Sequence, residues 1–139
     1  MPKPKVGVAV FIFKGEYIAF QKRISSKKHG DKTWSLPGGK LEYFEKLEEC
    51  AKREVFEEVD LKIKNLKFID ITNDFFKDSR QHYITIFFKA KYRSGTLKVK
   101  EKNKCSEVKW VHKDSLPKKI FLPLKNIFKK YTMEDIYKL

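Results

Sequence analysis

The chain has 139 residues, which fits one domain spanning 1–139, and 41% hydrophobic with 14% aromatic residues supplies a real core. No run of 18 apolar residues occurs, so no membrane-spanning helix is expected. The formal charge of +14 is nearly all lysine, with arginine only at positions 23, 53, 80 and 93. The lysines are spread through every segment. That pattern reads as a solvated basic surface that draws in anions rather than a nucleic-acid face, for which arginine's planar fork is better suited. RNA therefore stays a disfavoured partner.

From the N-terminus, Val6 to Phe13 is a continuous apolar run, fit for a strand buried on both faces. Lys14 and Glu16 interrupt it and no small-residue cleavage site follows, so a strand is a better reading than a secretion signal. Lys14-Gly15-Glu16 is a tight turn, and Tyr17 to Gln21 returns as a second strand ending near Arg23. Residues 25–32 are polar and contain Gly30, which predicts a loop on the rim of a binding site. Trp34 begins a short strand closed by Pro37-Gly38-Gly39, whose glycines let backbone approach a ligand.

Residues 45–59 carry helical periodicity, with Leu47, Cys50 and Ala51 marking the inward face. One heptad on, that face should be apolar again. It carries Glu54, Glu57 and Glu58 instead, at i, i+3 and i+4. Glu48, Glu49 and Lys52 already supply a polar outer face, so a merely solvated acidic stripe is the weaker reading. Carboxylates this close repel and are costly to bury, and a divalent cation resolves both problems. Dense oxygen ligands suit magnesium, or manganese.

Beyond the helix, Leu61 to Ile71 and Tyr83 to Tyr92 read as strands, joined by a link over residues 73–81. Residues 107–111 form a late strand around Trp110. Residues 123–131 read as a terminal helix whose stripe of Leu124, Ile127, Phe128 and Tyr131 is core packing. Cys50 and Cys105 lack metal-type spacing, and Cys50 reads as a small core residue in a reducing, cytoplasmic setting. His29, His82 and His112 show no metal-type spacing either.

The run from Gly39 to Leu61 resembles the Nudix box: Gly, five residues, Glu, seven residues, Arg-Glu, an aliphatic, any residue, Glu-Glu, any residue, Gly, an aliphatic. Gly39, Glu45, Arg53, Glu54, Val55, Glu57, Glu58 and Leu61 are in register. Asp60 stands where the family has the glycine that ends the helix in a left-handed conformation, and Asp is among the few residues that tolerate it. Trp34 to Gly39 also matches the usual approach to the box. The resemblance covers nearly the whole chain and is nearest to the MutT-related nucleoside-triphosphate diphosphatases. It implies an α/β fold, an α/β/α sandwich with a mixed sheet, in a monomer or homodimer. It implies magnesium-dependent cleavage of a nucleoside triphosphate to monophosphate and pyrophosphate. Metal ligands by resemblance are Glu54, Glu57, Glu58 and the Gly39 carbonyl, with Glu45 and Arg53 fixing the loop-to-helix geometry. Glu54, Glu57, Glu107 or Glu101 is the general base. Substrate-facing candidates are Arg23, Gly38, Lys40 and His82, with Trp34, Phe75 and Phe76 available to stack on a base. Removal of pyrophosphate from RNA 5′ ends, another nucleoside-diphosphate-X cleavage, and a non-catalytic nucleotide or RNA sensor are the alternatives. No extra signature of relatives specific for NADH or ADP-ribose is visible.

Overall fold

Strand β1 (Lys5–Lys14) forms a hairpin with β2 (Tyr17–Arg23), followed by two short strands, β3 (Trp34–Ser35) and β4 (Gly38–Lys40). Helix α1 (Leu47–Val59) leads into the long strands β5 (Leu61–Phe76) and β6 (Gln81–Gly95), then β7 (Cys105–His112) and helices α2 (Leu122–Ile127) and α3 (Met133–Lys138). This computed structural model describes residues 1–25 and 30–139, so His29 and part of the predicted rim loop lie outside the described residues.

The strands form one mixed sheet with the path β3-β2-β1-β6-β5, to which β4 adds on β1 and β7 on β2. β1 runs parallel to β6 through its whole length, from Lys5↔Tyr83 to Phe13↔Lys91. Its alternating side chains enter two cores. Val8, Val10 and Ile12 pack with Cys50, Ala51, Val55 and Val59 of α1. Phe11 and Phe13 pack on the other face with Leu124 and Ile127 of α2 and Met133 and Ile136 of α3. Both faces of β1 are covered, which is why its sequence is apolar without alternation. The result is the expected α/β/α sandwich.

The element boundaries correct three expectations. The helix starts at Leu47 rather than Glu45, with Lys46 as N-cap in extended conformation. The Glu45 carboxylate is engaged elsewhere, as described below. β5 continues to Phe76, so the predicted link over 73–81 shrinks to a tight turn at 77–80. The expected C-terminal helix is two short ones. α2 ends at Ile127, and α3 restarts at Thr132, whose hydroxyl accepts the Asp135 N–H at 3.1 Å. The predicted core stripe is nonetheless in the second core, where Leu124 and Ile127 are buried and Phe128 and Tyr131 pack against them. Asp60 closes α1 with φ 63° and ψ 31°, the left-handed conformation that its place required, and its carboxylate meets Lys98 at 3.3 Å and Lys100 at 3.4 Å.

Candidate active site

β1 and β2 pair only near their turn, at Phe13↔Ile18 and Lys14↔Tyr17. Further from the turn they take different partners. β1 pairs with β4 (Val8↔Gly39, Ala9↔Gly38), and β2 with β3 (Gln21↔Ser35, Lys22↔Trp34). Leu36 and Pro37 span the two, with the Pro37 carbonyl accepting the Val10 N–H at 3.0 Å. This parting opens a cavity of about 360 Å³, bounded by α1 residues on one side and the start of α2 on another.

Glu54 and Glu58 of α1 line that cavity with Gly38, Gly39 and Lys40 of β4. The Glu58 Oε1 accepts the Gly38 N–H at 2.8 Å and the Gln21 Nε2–H at 3.2 Å. Burial pushes the Glu58 carboxyl up to about 8, against the pull of the Gly38 N–H and with the Glu54 charge adding to the rise. Burial also raises Glu54, opposed by Arg53. Two half-buried carboxylates thus share one wall. The glycines are needed for this closeness. A Cβ at Gly38 would strike the Val8 carbonyl oxygen, and one at Gly39 would strike the Glu54 carboxylate.

Arg53 ties the loop after β4 to the middle of α1. Its Nε and Nη2 grip Glu45 as a fork, at 2.6 and 3.0 Å, and Nη2 also donates to the Lys40 carbonyl at 3.1 Å. Its Nη1 donates to Glu54 and, at 3.1 Å, to Glu57. The Arg53 hydrogen bonds hold the Glu45 carboxyl down at about 2, and Glu45 in turn raises the guanidinium. Glu45 and Arg53 are therefore a bonded pair in this structure.

Glu57 is placed differently from Glu54 and Glu58. Its side chain is 52% exposed and points to Arg53, outside the cavity lining. Among the described residues no three His, Cys, Asp or Glu side chains stand together as a metal-holding group. Of the four expected ligands, Glu54, Glu58 and Gly39 line the cavity.

Arg23 lines the cavity, its guanidinium 3.8 Å above the Phe121 ring centre. Desolvation lowers its pKa, while the Glu58 charge acts the other way. His82 is not brought in. Tyr83, Thr85 and Phe87 of β6 face the cavity, and His82 falls on the alternate face, stacked 4.7 Å from Phe75 and 3.2 Å from the Asn73 Oδ1. Phe76 lines the cavity and Phe75 is exposed, and Trp34 is outside the lining. Glu107 sits exposed on β7, also outside the lining. Glu101 is nearer in effect, since its charge acts on Glu58, and it pairs at 3.5 Å with Lys104, which lines the cavity.

Sequence reasoning passed over Gln21, Ser35, Tyr83, Thr85, Lys104 and Phe121, all of which line the cavity. Gln21 and Ser35 had a usable signal, being polar residues at inward positions of otherwise apolar strands. The others carried none.

With this geometry in view, the comparisons are consistent. The NUDIX domain model matches residues 1–131, and the chain belongs to that family. The structure is similar to a MutT NUDIX hydrolase from Burkholderia pseudomallei, with TM-score 0.83 and 22% identity over 96% of this chain and 98% of that one. It is also similar to a MutT protein from Methanosarcina mazei, with TM-score 0.75 and 22% identity over 100% and 99%. The fold is thus that of the MutT-related Nudix hydrolases. Among curated proteins, the NAD-capped RNA hydrolase NudC of Actinobacillus succinogenes is 31% identical over 80% of this chain and 40% of its own length. That of Pseudomonas syringae is 29% identical over 96% and 44%. The chain spans less than half the length of these curated relatives.

Proposed function

We propose that the chain is a divalent-metal-dependent hydrolase that cleaves a nucleoside triphosphate to a nucleoside monophosphate and pyrophosphate. The observation that carries this reading is the half-buried Glu58 carboxylate, fixed by Gly38 and Gln21 beside Glu54 on the wall of one cavity. Glu54 has Arg53 as an ion-pair partner, but Glu58 has hydrogen bonds alone, and two partly buried carboxylates side by side are costly unless a further cation neutralises them. The donors are hard oxygens, and magnesium or manganese fits that chemistry. Glu54, Glu58 and the Gly39 carbonyl would hold it, with Glu57 available from one helical turn if Arg53 releases it. Bound there, the ion would neutralise phosphate charge and lower the pKa of a coordinated water.

The chain's own residues do the rest. Arg53 and Glu45 fix the loop that carries Gly38 and Gly39 against α1. Arg23, Lys40 and Lys104 place positive charge around the cavity, which favours a polyphosphate. Water adds to a phosphorus of the phosphate chain, one bridging P–O bond breaks, and the water's proton passes to a carboxylate. Glu54 lines the cavity beside Glu58, which places it to accept that proton. Glu101 acts on the site through its charge, and Glu107 stands apart, so Glu54 is the better base.

A second reading has a specific observation behind it. The curated relatives are named for NAD-capped RNA, which contains a nucleoside diphosphate linked to another group. The same wall would serve that cleavage. A magnesium-dependent turnover screen over nucleoside triphosphates, NAD, ADP-ribose, and capped and triphosphorylated RNA decides between them. Monophosphate plus pyrophosphate from a triphosphate supports the first reading. A clear preference for NAD or capped RNA promotes the second, and no turnover of any member rejects both.

A further inference from the structure

Five buried side-chain nitrogen or oxygen atoms lack a hydrogen-bond partner among the described residues: Gln21 Oε1, Arg23 Nε, Ser35 Oγ, Thr72 Oγ1 and Ser79 Oγ. Three of these residues, Gln21, Arg23 and Ser35, line the one cavity described above. They also belong to one stretch of sheet. Gln21 faces Ser35 across the β2–β3 pair, and Arg23 is two residues along the same strand. Buried polar atoms are nearly always partnered, so three orphans on one cavity wall point to a ligand.

The polarity of each atom is fixed. The Gln21 Nε2 is directed at two acceptors, Glu58 Oε1 at 3.2 Å and the Leu36 carbonyl at 3.5 Å. Its Oε1 is therefore the free atom and can only accept. Arg23 Nε–H can only donate. The Ser35 hydroxyl does either. The wall thus asks for a group with a hydrogen-bond donor beside an acceptor. Gln21 is 5% exposed and Ser35 4%, so that group must enter deeply. Phosphate has no donor when ionised and repels the Gln21 carbonyl oxygen. A neutral heterocycle edge meets every requirement. Aromatic rings close the same side of the cavity, with Phe121 under Arg23 and Phe76 beside Phe121 at 5.4 Å.

We infer that Gln21, Arg23 and Ser35 form the base-reading wall of this cavity and take a nucleobase edge that presents an N–H donor next to an acceptor. The inference rests on the nucleotide reading above and assigns the orientation of the base within it. Adenine presents the pair as an N–H at C6 and an acceptor at N1, and hypoxanthine presents it in the reverse order, as O6 and N1–H, so in one orientation the wall takes one of the two and not the other. Unsubstituted purine has the ring acceptor and no N–H on that edge, so it leaves the Gln21 oxygen unpaired. A buried acceptor left unpaired costs enough to read as about tenfold or more.

The test compares ATP, ITP and purine riboside triphosphate as substrates of the intact chain, with the 2′-deoxy form of ATP alongside. The corresponding monophosphates are titrated in parallel by calorimetry without metal. We expect ATP and ITP to be handled unequally, kcat/KM for the purine analogue to fall about tenfold or more below the better of the two, and its monophosphate to bind weaker than that one's by a similar factor. Ser35→Ala should raise KM while kcat and Tm stay near the parent's. Equal handling of all three bases, in turnover or in binding, overturns the assignment while leaving the proposed activity standing. A loss seen only with the deoxy sugar also overturns it, because the wall would then read ribose. If no triphosphate is turned over, the proposed activity fails, and the monophosphate titrations still decide the wall.

Discussion

At the scale of single residues the site is a contest between burial and charge. Glu58 is the sharpest case, because its carboxyl is pushed to about 8 while only Gly38 and Gln21 support the ionised form. The sign follows from linkage. The folded chain holds this proton more tightly than the unfolded chain, whose carboxyl titrates near its ordinary 4.5. The folded state therefore binds more protons between the two values, and stability falls as pH rises through that window, by at most about 1.4 kcal/mol per pH unit. Without divalent ions, Tm should decline from pH 5 to 8, and Glu58→Gln should flatten that slope. A Tm series in chelator for both proteins checks it. The same variant keeps the shape of the side chain and removes its charge. Metal-dependent turnover should drop by about a hundredfold or more while the fold survives. Parent-like turnover would remove Glu58 from the metal-binding set. The two glycines separate in the same way. Gly38→Ala meets backbone at Val8 and should lower Tm substantially, whereas Gly39→Ala meets the movable Glu54 side chain and should cost more activity than stability. Thermal melts with parallel rate assays distinguish them.

At the scale of elements, Arg53 decides whether α1 and the β4 loop act as one unit. Arg53→Lys keeps the charge and loses the fork that reaches Glu45 and the Lys40 carbonyl together. We expect turnover to fall more than tenfold, with a Tm loss of only a few degrees. An unchanged kcat would show that the clamp is dispensable. The elements also show what the sequence made legible. The carboxylate helix stood out because Glu54 and Glu58 fall beside its buried stripe, although Glu57, expected with them, points outward, and β1 stood out because burial on both faces leaves no polar alternation. The start of α1 did not, since Glu45 continues the helical pattern although its carboxylate serves Arg53 from the preceding loop. His82 was misplaced because strand register cannot be read without the partner strand. One step along β6 moves a side chain to the opposite face, so Tyr83 took the position expected of His82. Gln21 and Ser35 each showed as a polar residue in an apolar strand, but only the β2–β3 pairing, which no pattern within either strand reveals, sets them side by side. Glu54 and Glu58 were legible for the opposite reason, since one helix carries both.

At the scale of the whole molecule, the net charge of +14 acts on encounter rather than on chemistry. The lysines are dispersed over every segment, and those at the cavity, Lys40 and Lys104, lie beside the carboxylate wall rather than in a separate basic groove. A field of this kind draws a polyanion toward the surface without fixing its register. It is screened as salt rises, because the Debye length shrinks from about 10 Å at 0.1 M to about 3 Å at 1 M. Once bound, the substrate would be held by short-range contacts, which salt screens far less than the long-range field. We therefore expect kcat/KM for a nucleoside triphosphate to decline steadily with ionic strength while kcat stays nearly constant. Binding to duplex RNA should be weak at about 0.15 M salt, in the range of roughly 10⁻⁴ to 10⁻⁶ M that sequence-independent phosphate contacts give. An RNA titration at that salt is the decisive measurement. Saturable nanomolar binding would mean that the lysines form a specific track, and RNA bearing a capped or triphosphorylated 5′ end would become the better substrate.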